Sequence, residues 1–454
     1  MKNGVKFNEQ FPDISNSNQF YERALSLIPG VTQTLAKGPG QYIQGIAPKY
    51  LVRGKGSHVW DADGNEYLDY NMGIGPISLG YSFPAVDDAI TDQLKNGITF
   101  SLMHPLEVEV AELIHEVVPN AQAVRFSKTG ADVTSAAIRL ARAYTGRQKV
   151  LCCGYHGWHD WYIAVTDRNA GIPNALKNLS FTFNYNDLPS LVSSVDDEVA
   201  AIILEPVVFE EPKNNFLYDL RKICSQYGIV LIFDEMWTGF RMSLGGAQEY
   251  FNIKADLACF SKAVANGMPI SILTGKKEIM KLLEKDVFFF TTFGGEALSL
   301  AAAKATIEFM KGNNVQEYLA AQGKKLKEGY NHIALHLGMS CTKCSGYNFR
   351  SIVSFNSSAG DPLELKSLVQ QELIKRGILW SGCHNMSYSH SNADIDYTLS
   401  AYEEVLPILK RAVDEKNVRK YLMGKPVEPL FRKIDNFNMK PRKNPIKVFD
   451  DLKI

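Results

Sequence analysis

The hydrophobic pattern between residues 124 and 275 alternates short apolar runs with segments of helical periodicity. Short continuous apolar runs are typical of strands that are buried on both faces. The strand candidates are Val124–Phe126, Val150–Cys153, Ala200–Leu204, Ile229–Phe233 and Leu257–Phe260. The helical periodicity between them is clearest at Asp132–Tyr144 and Tyr218–Tyr227. This alternation predicts an α/β fold with a mostly parallel central sheet and helices on both faces.

A second pattern begins after a long helical run at Glu296–Met310. Here the strand candidate Ser351–Phe355 is followed by two predicted helices, Leu363–Arg376 and Ile395–Val413. A strand followed by helices, without the regular alternation of the preceding region, indicates a smaller α+β domain in the C-terminal part of the chain.

Residues 51–70 alternate apolar and polar positions around Asp63-Gly64, and this pattern predicts a β-hairpin. We therefore divide the chain into four segments. They are an N-terminal segment that joins the small domain (1–70), a large domain that contains the sheet (71–310), a small C-terminal domain (311–413) and a C-terminal extension (414–454).

Composition narrows the class of protein. The 454 residues include 49 basic and 49 acidic side chains, so the net charge is zero and no basic excess indicates a nucleic acid or a membrane surface as partner. No apolar run approaches the roughly 20 residues of a transmembrane helix. The polar N-terminus lacks the features of a signal peptide, and seven scattered cysteines argue against a disulfide framework. We expect a cytoplasmic protein.

Ligands of such sheets bind outside the carboxyl ends of the strands. The first candidate there is Thr129-Gly130-Ala131-Asp132, which directly precedes a predicted helix. A helix start offers free N–H groups and a positive dipole end to a phosphate. The alternative is that Thr129 only caps the helix.

Tyr155-His156-Gly157 follows the strand candidate that ends at Cys153. An aromatic ring in this position is suited to stacking on a planar heterocycle, although a lone tyrosine is more often a packing residue. His156 and His159 have no further ligands at suitable spacing, so we expect no metal site.

Asp234 and Glu235 end an apolar strand. A carboxylate there is costly to bury unless it is paired, and one use is to hold a protonated pyridine nitrogen. The chain contains no G-x-x-x-x-G-K-[ST] motif, so a nucleotide-hydrolysing reading of this strand fails. Lys262 follows the next strand candidate, where burial would lower the pKa of its amine and make it a nucleophile for carbonyls. The alternative is a lysine whose charged end reaches solvent.

These sites lie in SKTGADVTSAAIRLARAYTGR, YHGWHD, AIILEPV, LIFDEMWTGFR, FSKAVANGMP and TTFGGE. Taken together, the segments resemble the class III aminotransferases, and among these the glutamate-1-semialdehyde aminomutase subgroup. The resemblance covers about Ser26 to Val413. It implies a fold-type-I transferase, pyridoxal 5'-phosphate as cofactor, and transfer of an amino group from an amino-acid donor to a carbonyl acceptor in a ping-pong reaction.

The resemblance also implies roles for individual residues. Lys262 would bind the cofactor as a Schiff base and move the proton, Asp234 would pair with the pyridine nitrogen, and Tyr155 would stack on the ring. The other cofactor-binding residues would be Thr129, Gly130, Ala131, His156, Glu205 and Thr292. Thr292 would reach the phosphate of the neighbouring subunit, which implies a homodimer.

Three positions depart from the aminomutase pattern. Thr129-Gly130-Ala131 stands where the family usually has Ser-Gly-Thr, and Ala36 stands where the aminomutase has an arginine for the substrate carboxylate. The segment Cys383-His384-Asn385 lacks the acidic substrate-site residue. A pocket for glutamate semialdehyde is therefore not expected. Segments such as GGAQEYF are more similar to a bacterial subgroup of surface-saccharide pathways, which implies a keto-sugar or related polyol as acceptor. The side chains that could line a sugar pocket, or could equally be packing residues, are Trp158, Trp237, Trp380 and His384.

Three alternatives stay open at this point. A 2,1-aminomutase, or a racemase or decarboxylase, would use the same residues for a different outcome. A non-catalytic binding protein on the same fold would have no need of Lys262, Asp234 and Tyr155 together.

Overall fold

The computed structural model describes residues 10–429 of the chain, and these form two compact units. The first, here the continuous unit, is Ala85–Asn313. The second, the discontinuous unit, joins residues 10–84 to residues 314–429. Residues 1–9 of the predicted N-terminal segment and residues 430–454 of the predicted C-terminal extension lie outside the described residues.

The strands of both units, in chain order, are β1 (Leu51–Lys55), β2 (His58–Asp61), β3 (Glu66–Asp69), β4 (Ala123–Ser127), β5 (Lys149–Cys153), β6 (Ser180–Thr182), β7 (Val199–Leu204), β8 (Val230–Asp234), β9 (Leu257–Phe260), β10 (Ser271–Gly275), β11 (Thr342–Tyr347), β12 (Arg350–Phe355), β13 (Ile378–Leu379) and β14 (Cys383–Asn385).

The α-helices, in chain order, are α1 (Ser15–Leu27), α2 (Pro84–Asn96), α3 (Pro105–Val117), α4 (Gly130–Thr145), α5 (Asp160–Ile163), α6 (Asn174–Lys177), α7 (Leu188–Ser194), α8 (Phe216–Tyr227), α9 (Ala247–Phe251), α10 (Lys277–Met280), α11 (Ala297–Gly312), α12 (Val315–His336), α13 (Pro362–Lys375) and α14 (Asn392–Asp414). Short 3-10 turns include Leu35–Lys37, Met72–Ile74 and Lys262–Ala265.

The continuous unit is built on a seven-stranded sheet with the order β4-β10-β9-β8-β7-β5-β6. Its strands run parallel except β10, which is antiparallel to both of its neighbours. The prediction of a mostly parallel α/β sheet is confirmed, and all five predicted strands match observed strands to within one residue at either end. The sequence analysis did not predict β6 or β10.

Burial explains why these segments form strands. Every residue of β7, β8 and β9 is buried, because a parallel sheet that carries helices on its faces has no solvated side. Helix α4 packs one apolar side against this sheet, and its buried residues include Ala136, Ile138 and Leu140. By contrast, β6 has only three residues, and β10 contains Ser271, Thr274 and Gly275, so neither has a strong apolar signal.

The discontinuous unit contains a four-stranded sheet, β1-β2-β3-β13, and a three-stranded sheet, β11-β12-β14. Strands β2 and β3 form the predicted antiparallel hairpin, with Val59 opposite Tyr67. The Asp61 carboxylate accepts hydrogen bonds from the backbone N–H groups of Asp63 and Asn65, so residues of the turn itself supply the partners of this carboxylate. No helix within residues 10–429 is long and apolar enough to cross a membrane.

Candidate active site

The predicted site residues lie at one edge of the seven-stranded sheet. Asp234 is the last residue of β8, and Lys262 lies two residues after the end of β9. Glu205 directly follows β7, and Tyr155 lies two residues after β5. Because these four strands are parallel and neighbours in the order β9-β8-β7-β5, their carboxyl ends meet at the same edge.

The start of helix α4 lies at this edge too. Strand β4 is antiparallel to β10, which is itself antiparallel to β9, so β4 and β9 run in the same direction. In register, Ser127 of β4 pairs with Ser271, and the adjacent Ile272 pairs with Phe260 of β9. The helix that begins just after β4 therefore starts beside the segment that carries Lys262.

Thr129 caps helix α4 by a reciprocal pair of hydrogen bonds. The Asp132 N–H donates to the Thr129 hydroxyl at 3.3 Å, and the Thr129 N–H donates to the Asp132 carboxylate at 2.8 Å. Asp132 also accepts from the Ser127 hydroxyl at 2.9 Å. These hydrogen bonds fix the loop in place. The N–H groups of Gly130 and Ala131 are the first of the helix, so no carbonyl of the same helix can accept from them.

Asp234 is a buried carboxylate that is held by His156. The His156 Nδ1 lies 2.8 Å from one Asp234 carboxylate oxygen, and the Met236 N–H donates to the other at 3.1 Å. Both side chains are almost wholly enclosed. A carboxylate offers about four lone-pair sites, so these contacts orient Asp234 and leave capacity for a further donor.

The Glu235 carboxylate contacts a different set of hydrogen-bond donors from that of Asp234. Its carboxylate accepts hydrogen bonds from the Thr238 hydroxyl and from the backbone N–H groups of Ala247 and Gln248. Burial raises the pKa of Glu235 to about 7, although these three hydrogen bonds oppose the shift. Glu235 therefore anchors the turn after β8 to the start of helix α9.

Lys262 has an unusual backbone conformation. Its φ of 48° lies in the left-handed region, which non-glycine residues adopt only when the surrounding structure holds them there. The preceding Ser261 hydroxyl donates to the Ile270 carbonyl at 2.6 Å and closes the loop that follows Lys262. The Lys262 ammonium nitrogen lies 4.5 Å from the ring centre of Trp237, a cation–π distance.

Tyr155 and Glu205 are connected through the backbone. The Tyr155 N–H donates to the Glu205 carboxylate at 2.7 Å, which fixes the loop after β5. Gly154 has a φ of 109°, and a Cβ there would lie 2.8 Å from a Glu205 oxygen, so only glycine fits. The Tyr155 ring is 41% exposed at the sheet edge and contacts Tyr162 edge-on.

Thr292 is exposed and lies in the turn at residues 292–295, which Glu296 joins to helix α11. Other positions named in the sequence analysis lie elsewhere. Trp380 and His384 are fully buried in the discontinuous unit, and Ala36 lies in its 3-10 turn Leu35–Lys37. Within residues 10–429, no group of three or more His, Cys, Asp or Glu side chains is arranged to hold a metal ion.

The sequence analysis named Trp237 only as a candidate lining residue for a sugar, and it assigned no role to Lys128 or to the side chain of Glu235. Trp237 follows Asp234 by three residues, so its position in the same turn was available as a signal. Lys128 forms an ion pair with Glu296, 168 positions away, and no local spacing rule connects two such distant charges. The contact of His156 with Asp234 is likewise a product of the fold.

This set of groups fits pyridoxal phosphate. A helix start is suited to its phosphate, a buried carboxylate to its ring nitrogen, and a lysine to its aldehyde. The Asp234 carboxylate has the hydrogen-bonding capacity that such a ring nitrogen requires, and Lys262 and the start of α4 lie at the same sheet edge. The fold and the site together define a fold-type-I pyridoxal-phosphate enzyme.

The comparisons with known proteins agree. The family "Aminotransferase class-III" matches residues 44–340. The 3-aminobutyryl-CoA aminotransferase of Cloacimonas acidaminovorans is 35% identical over 88% of this chain and 98% of its own length. A glutamate-1-semialdehyde 2,1-aminomutase of Archaeoglobus fulgidus is 34% identical over 87% of this chain and 100% of its own.

Among solved structures, the FumI protein of Sphingopyxis sp. MTA144, in its PLP internal aldimine form, superposes with a TM-score of 0.82. It is 28% identical and covers 90% of this chain and 98% of its own. The chain belongs to the class III aminotransferase family. It is a pyridoxal-phosphate-dependent aminotransferase, as the sequence analysis predicted.

Proposed function

We propose that the continuous unit is the cofactor-binding domain and that Lys262, Asp234 and Tyr155 are its catalytic residues. The observation that supports this most directly is the meeting of Lys262, Asp234 and the start of helix α4 at one edge of the sheet. In the same proposal, the discontinuous unit is the smaller domain. Its N-terminal part corresponds to the predicted segment 1–70 and its C-terminal part to the predicted segment 311–413.

Bound pyridoxal phosphate supplies an electron sink for the charge that develops when a substrate carbon loses a proton. Lys262 would hold the cofactor through its Nζ, and the same amine is the group that would carry the proton of the substrate carbon. The strained backbone at Lys262 fixes the direction of its side chain. Trp237 limits the space on one side of the ammonium group.

Asp234 pairs with the protonated ring nitrogen, and His156 keeps the carboxylate in place through its Nδ1. A buried carboxylate that has one fixed hydrogen-bond partner does not need to reorganise when the ring nitrogen binds. Tyr155 would stack on the cofactor ring, and Glu205 positions Tyr155 through its backbone N–H. In this arrangement Glu205 and His156 act through their neighbours.

The phosphate is held by the N–H groups of Gly130 and Ala131 at the start of α4, with Thr129 beside them. Because the Thr129 hydroxyl already accepts the Asp132 N–H, the backbone and the helix dipole provide most of the attraction. Ala131 adds no hydroxyl, so the phosphate needs a further donor. We propose that Thr292 of the partner subunit provides it.

A homodimer is supported by exposed apolar side chains near Thr292. Phe290 and Phe293 are more than half exposed, as are Leu102 and Met103 on the segment before helix α3. The Ala297 N–H donates to the Ile98 carbonyl at 2.9 Å and brings the two segments close together. Large exposed apolar patches of this kind are typical of protein interfaces.

A mixed dimer tests the role of Thr292. A dimer with Lys262→Ala in one protomer and Thr292→Ala in the other should contain one site with both residues intact and one site with neither. About half of the wild-type activity per dimer is expected, whereas each homodimeric variant should be impaired. If Thr292 acts in its own protomer, the mixed dimer will contain no intact site and will stay impaired.

We propose a keto-sugar or a related polyol as the amino acceptor. Ala36 stands where an arginine would bind a substrate carboxylate in the aminomutases, and no alanine can replace a two-pronged guanidinium contact. The similarity of GGAQEYF to a surface-saccharide subgroup supports the same choice. A second candidate is a 3-oxoacyl thioester, because the 3-aminobutyryl-CoA aminotransferase covers 88% of this chain.

The absorbance spectrum of the purified protein tests the proposal. An amino donor such as L-glutamate should convert the aldehyde form of the cofactor to its amine form, and a true acceptor should reverse the change. Keto-sugars, 3-oxoacyl thioesters and glutamate semialdehyde would be compared as acceptors. Turnover of glutamate semialdehyde without any donor would favour the aminomutase instead. Absence of the cofactor band after addition of pyridoxal phosphate would contradict the role of Lys262.

A further inference from the structure

Lys128 occupies a position between the end of β4 and the start of α4, directly beside the predicted phosphate loop. Its ammonium nitrogen lies 2.6 Å from the Glu296 carboxylate and donates to the Pro269 carbonyl at 3.0 Å and the Ser299 hydroxyl at 3.1 Å. An ammonium group has three protons, so these three acceptors match its full capacity. The group is held in one orientation.

Lys128 and its partners lie on segments that carry three different parts of the predicted site. Lys128 itself precedes Thr129. Pro269 lies in the loop after Lys262, and the hydrogen bond from Ser261 to Ile270 closes that loop at its base. Glu296 follows the turn that carries Thr292. One side chain therefore connects the phosphate loop, the lysine loop and the turn before α11.

Glu296 also caps a helix, and this second set of hydrogen bonds fixes its carboxylate in place. Its carboxylate accepts the backbone N–H groups of Leu298 at 2.8 Å and Ser299 at 3.0 Å and so caps helix α11. Burial alone would raise the pKa of Glu296, but the hydrogen bonds from Lys128 and Ser299 outweigh it and lower the pKa. The Lys128 and Glu296 side chains are only 20% and 9% exposed, so solvent and salt screen the pair weakly.

We propose that the Lys128–Glu296 ion pair is a positioning device that sets the phosphate loop against the lysine loop and the Thr292 turn. This inference rests on the proposed roles of Thr129, Lys262 and Thr292. Neither charged residue needs to touch the cofactor. The pair fixes the distance between the groups that would hold the phosphate of the cofactor and its aldehyde carbon.

A matched control exists at the opposite edge of the same sheet. Lys149 begins β5 and lies 2.6 Å from the Asp196 carboxylate, and the two side chains are 18% and 6% exposed. The distance and burial are thus close to those of Lys128 and Glu296. Lys149 also contacts the carboxylate of the exposed Glu198. Because Lys149 is at the amino end of its strand, Lys149→Met removes a buried ion pair without touching the candidate site.

The experiment measures the affinity of cofactor-free protein for pyridoxal phosphate and for pyridoxal, which lacks the phosphate. Lys128→Met and Glu296→Gln should each lower the affinity for pyridoxal phosphate by about tenfold and the affinity for pyridoxal by less than about threefold. Glu296→Gln keeps an oxygen that can cap α11, so it serves where Lys128→Met does not fold. The double variant should be no weaker than the singles, because both remove the same unit.

Lys149→Met should lower the thermal midpoint by a similar amount and leave both affinities unchanged. The proposal is overturned if the Lys128 and Glu296 variants lower the two affinities by the same factor, or if they change neither affinity. It is also overturned if Lys149→Met lowers the affinities as they do. Failure of the proposed function would give a different result. In that case the wild-type protein itself would not bind pyridoxal phosphate through Lys262.

Discussion

Among the described residues, the continuous unit has one buried histidine, His156, and the discontinuous unit has two, His384 and His390, with different hydrogen-bond partners. In the continuous unit, the Nδ1 of His156 contacts the Asp234 carboxylate, while its buried Nε2 has no hydrogen-bond partner among the described residues. In the discontinuous unit, His384 uses both ring nitrogens, one with the Ser351 hydroxyl at 3.0 Å and the other with the Tyr402 hydroxyl at 2.8 Å. A buried histidine with all its partners is part of the packing.

His390 repeats the second arrangement. Its Nδ1 lies 2.9 Å from the Ser387 hydroxyl, and its Nε2 lies 3.2 Å from the Asp69 carbonyl. Burial lowers the pKa of His384 to about 3 and that of His390 to about 4, so both rings are neutral at physiological pH. The comparison teaches that burial alone does not distinguish the proposed site histidine from packing histidines, whereas the set of hydrogen-bond partners does.

The largest effect is expected from Lys262→Ala. In the proposed mechanism, removal of the amine takes away both the covalent anchor and the proton carrier, so the activity should fall by about 10⁴-fold or more. The thermal midpoint of the cofactor-free protein should change little, because Lys262 is not a core residue. Steady-state rates and melting curves would be measured side by side, and substantial remaining activity would show that another residue carries the proton.

Asp234→Asn should lower the rate by about 10²–10³-fold, because an amide does not provide the charge that stabilises a protonated ring nitrogen. The matched change in the other unit is His384→Gln. It should lower stability by about 1–3 kcal/mol, because it disturbs a buried hydrogen-bond pair, and leave the rate per folded molecule almost unchanged. The comparison fails if His384→Gln slows the chemical step as Asp234→Asn does.

The histidines of the discontinuous unit should make stability depend on pH. Their folded pKa values of about 3 and 4 lie below the ordinary value of 6.5, so the unfolded chain binds more protons between these values. The free energy of unfolding should therefore decrease as the pH falls from about 6.5 toward 4. Thermal midpoints of the wild type and of His384→Gln/His390→Gln would be compared, and identical slopes would contradict this account.

The smallest effect is expected from Tyr402→Phe. The substitution removes the hydroxyl that contacts the Nε2 of His384 and keeps the ring that packs edge-on against Tyr330. A loss of about 1 kcal/mol in unfolding free energy is expected, with an unchanged cofactor spectrum. Urea titration followed by fluorescence would measure it. A change in cofactor binding would mean that the network around His384 serves the active site after all.

Much of the continuous unit could be predicted because its signals are local. The strands ending at Phe233 and Phe260 are unbroken apolar runs, and the side chains that follow them are unusual in a buried place. The order of the strands in the sheet could not be predicted in this way. The antiparallel β10, with its small and polar residues, gives no local indication that it lies between β4 and β9.

Amino-acid order by itself determined which residues stand at strand ends, that Thr129 directly precedes a helix, and that the chain resembles the class III aminotransferases. These features depend on neighbours within a few positions. Only the tertiary structure decided that His156 holds Asp234 and that Lys128 meets Glu296 and Pro269, contacts that join residues 78 to 168 positions apart. Such contacts depend on strand order and register, which arise from the packing of the whole sheet and not from any single segment.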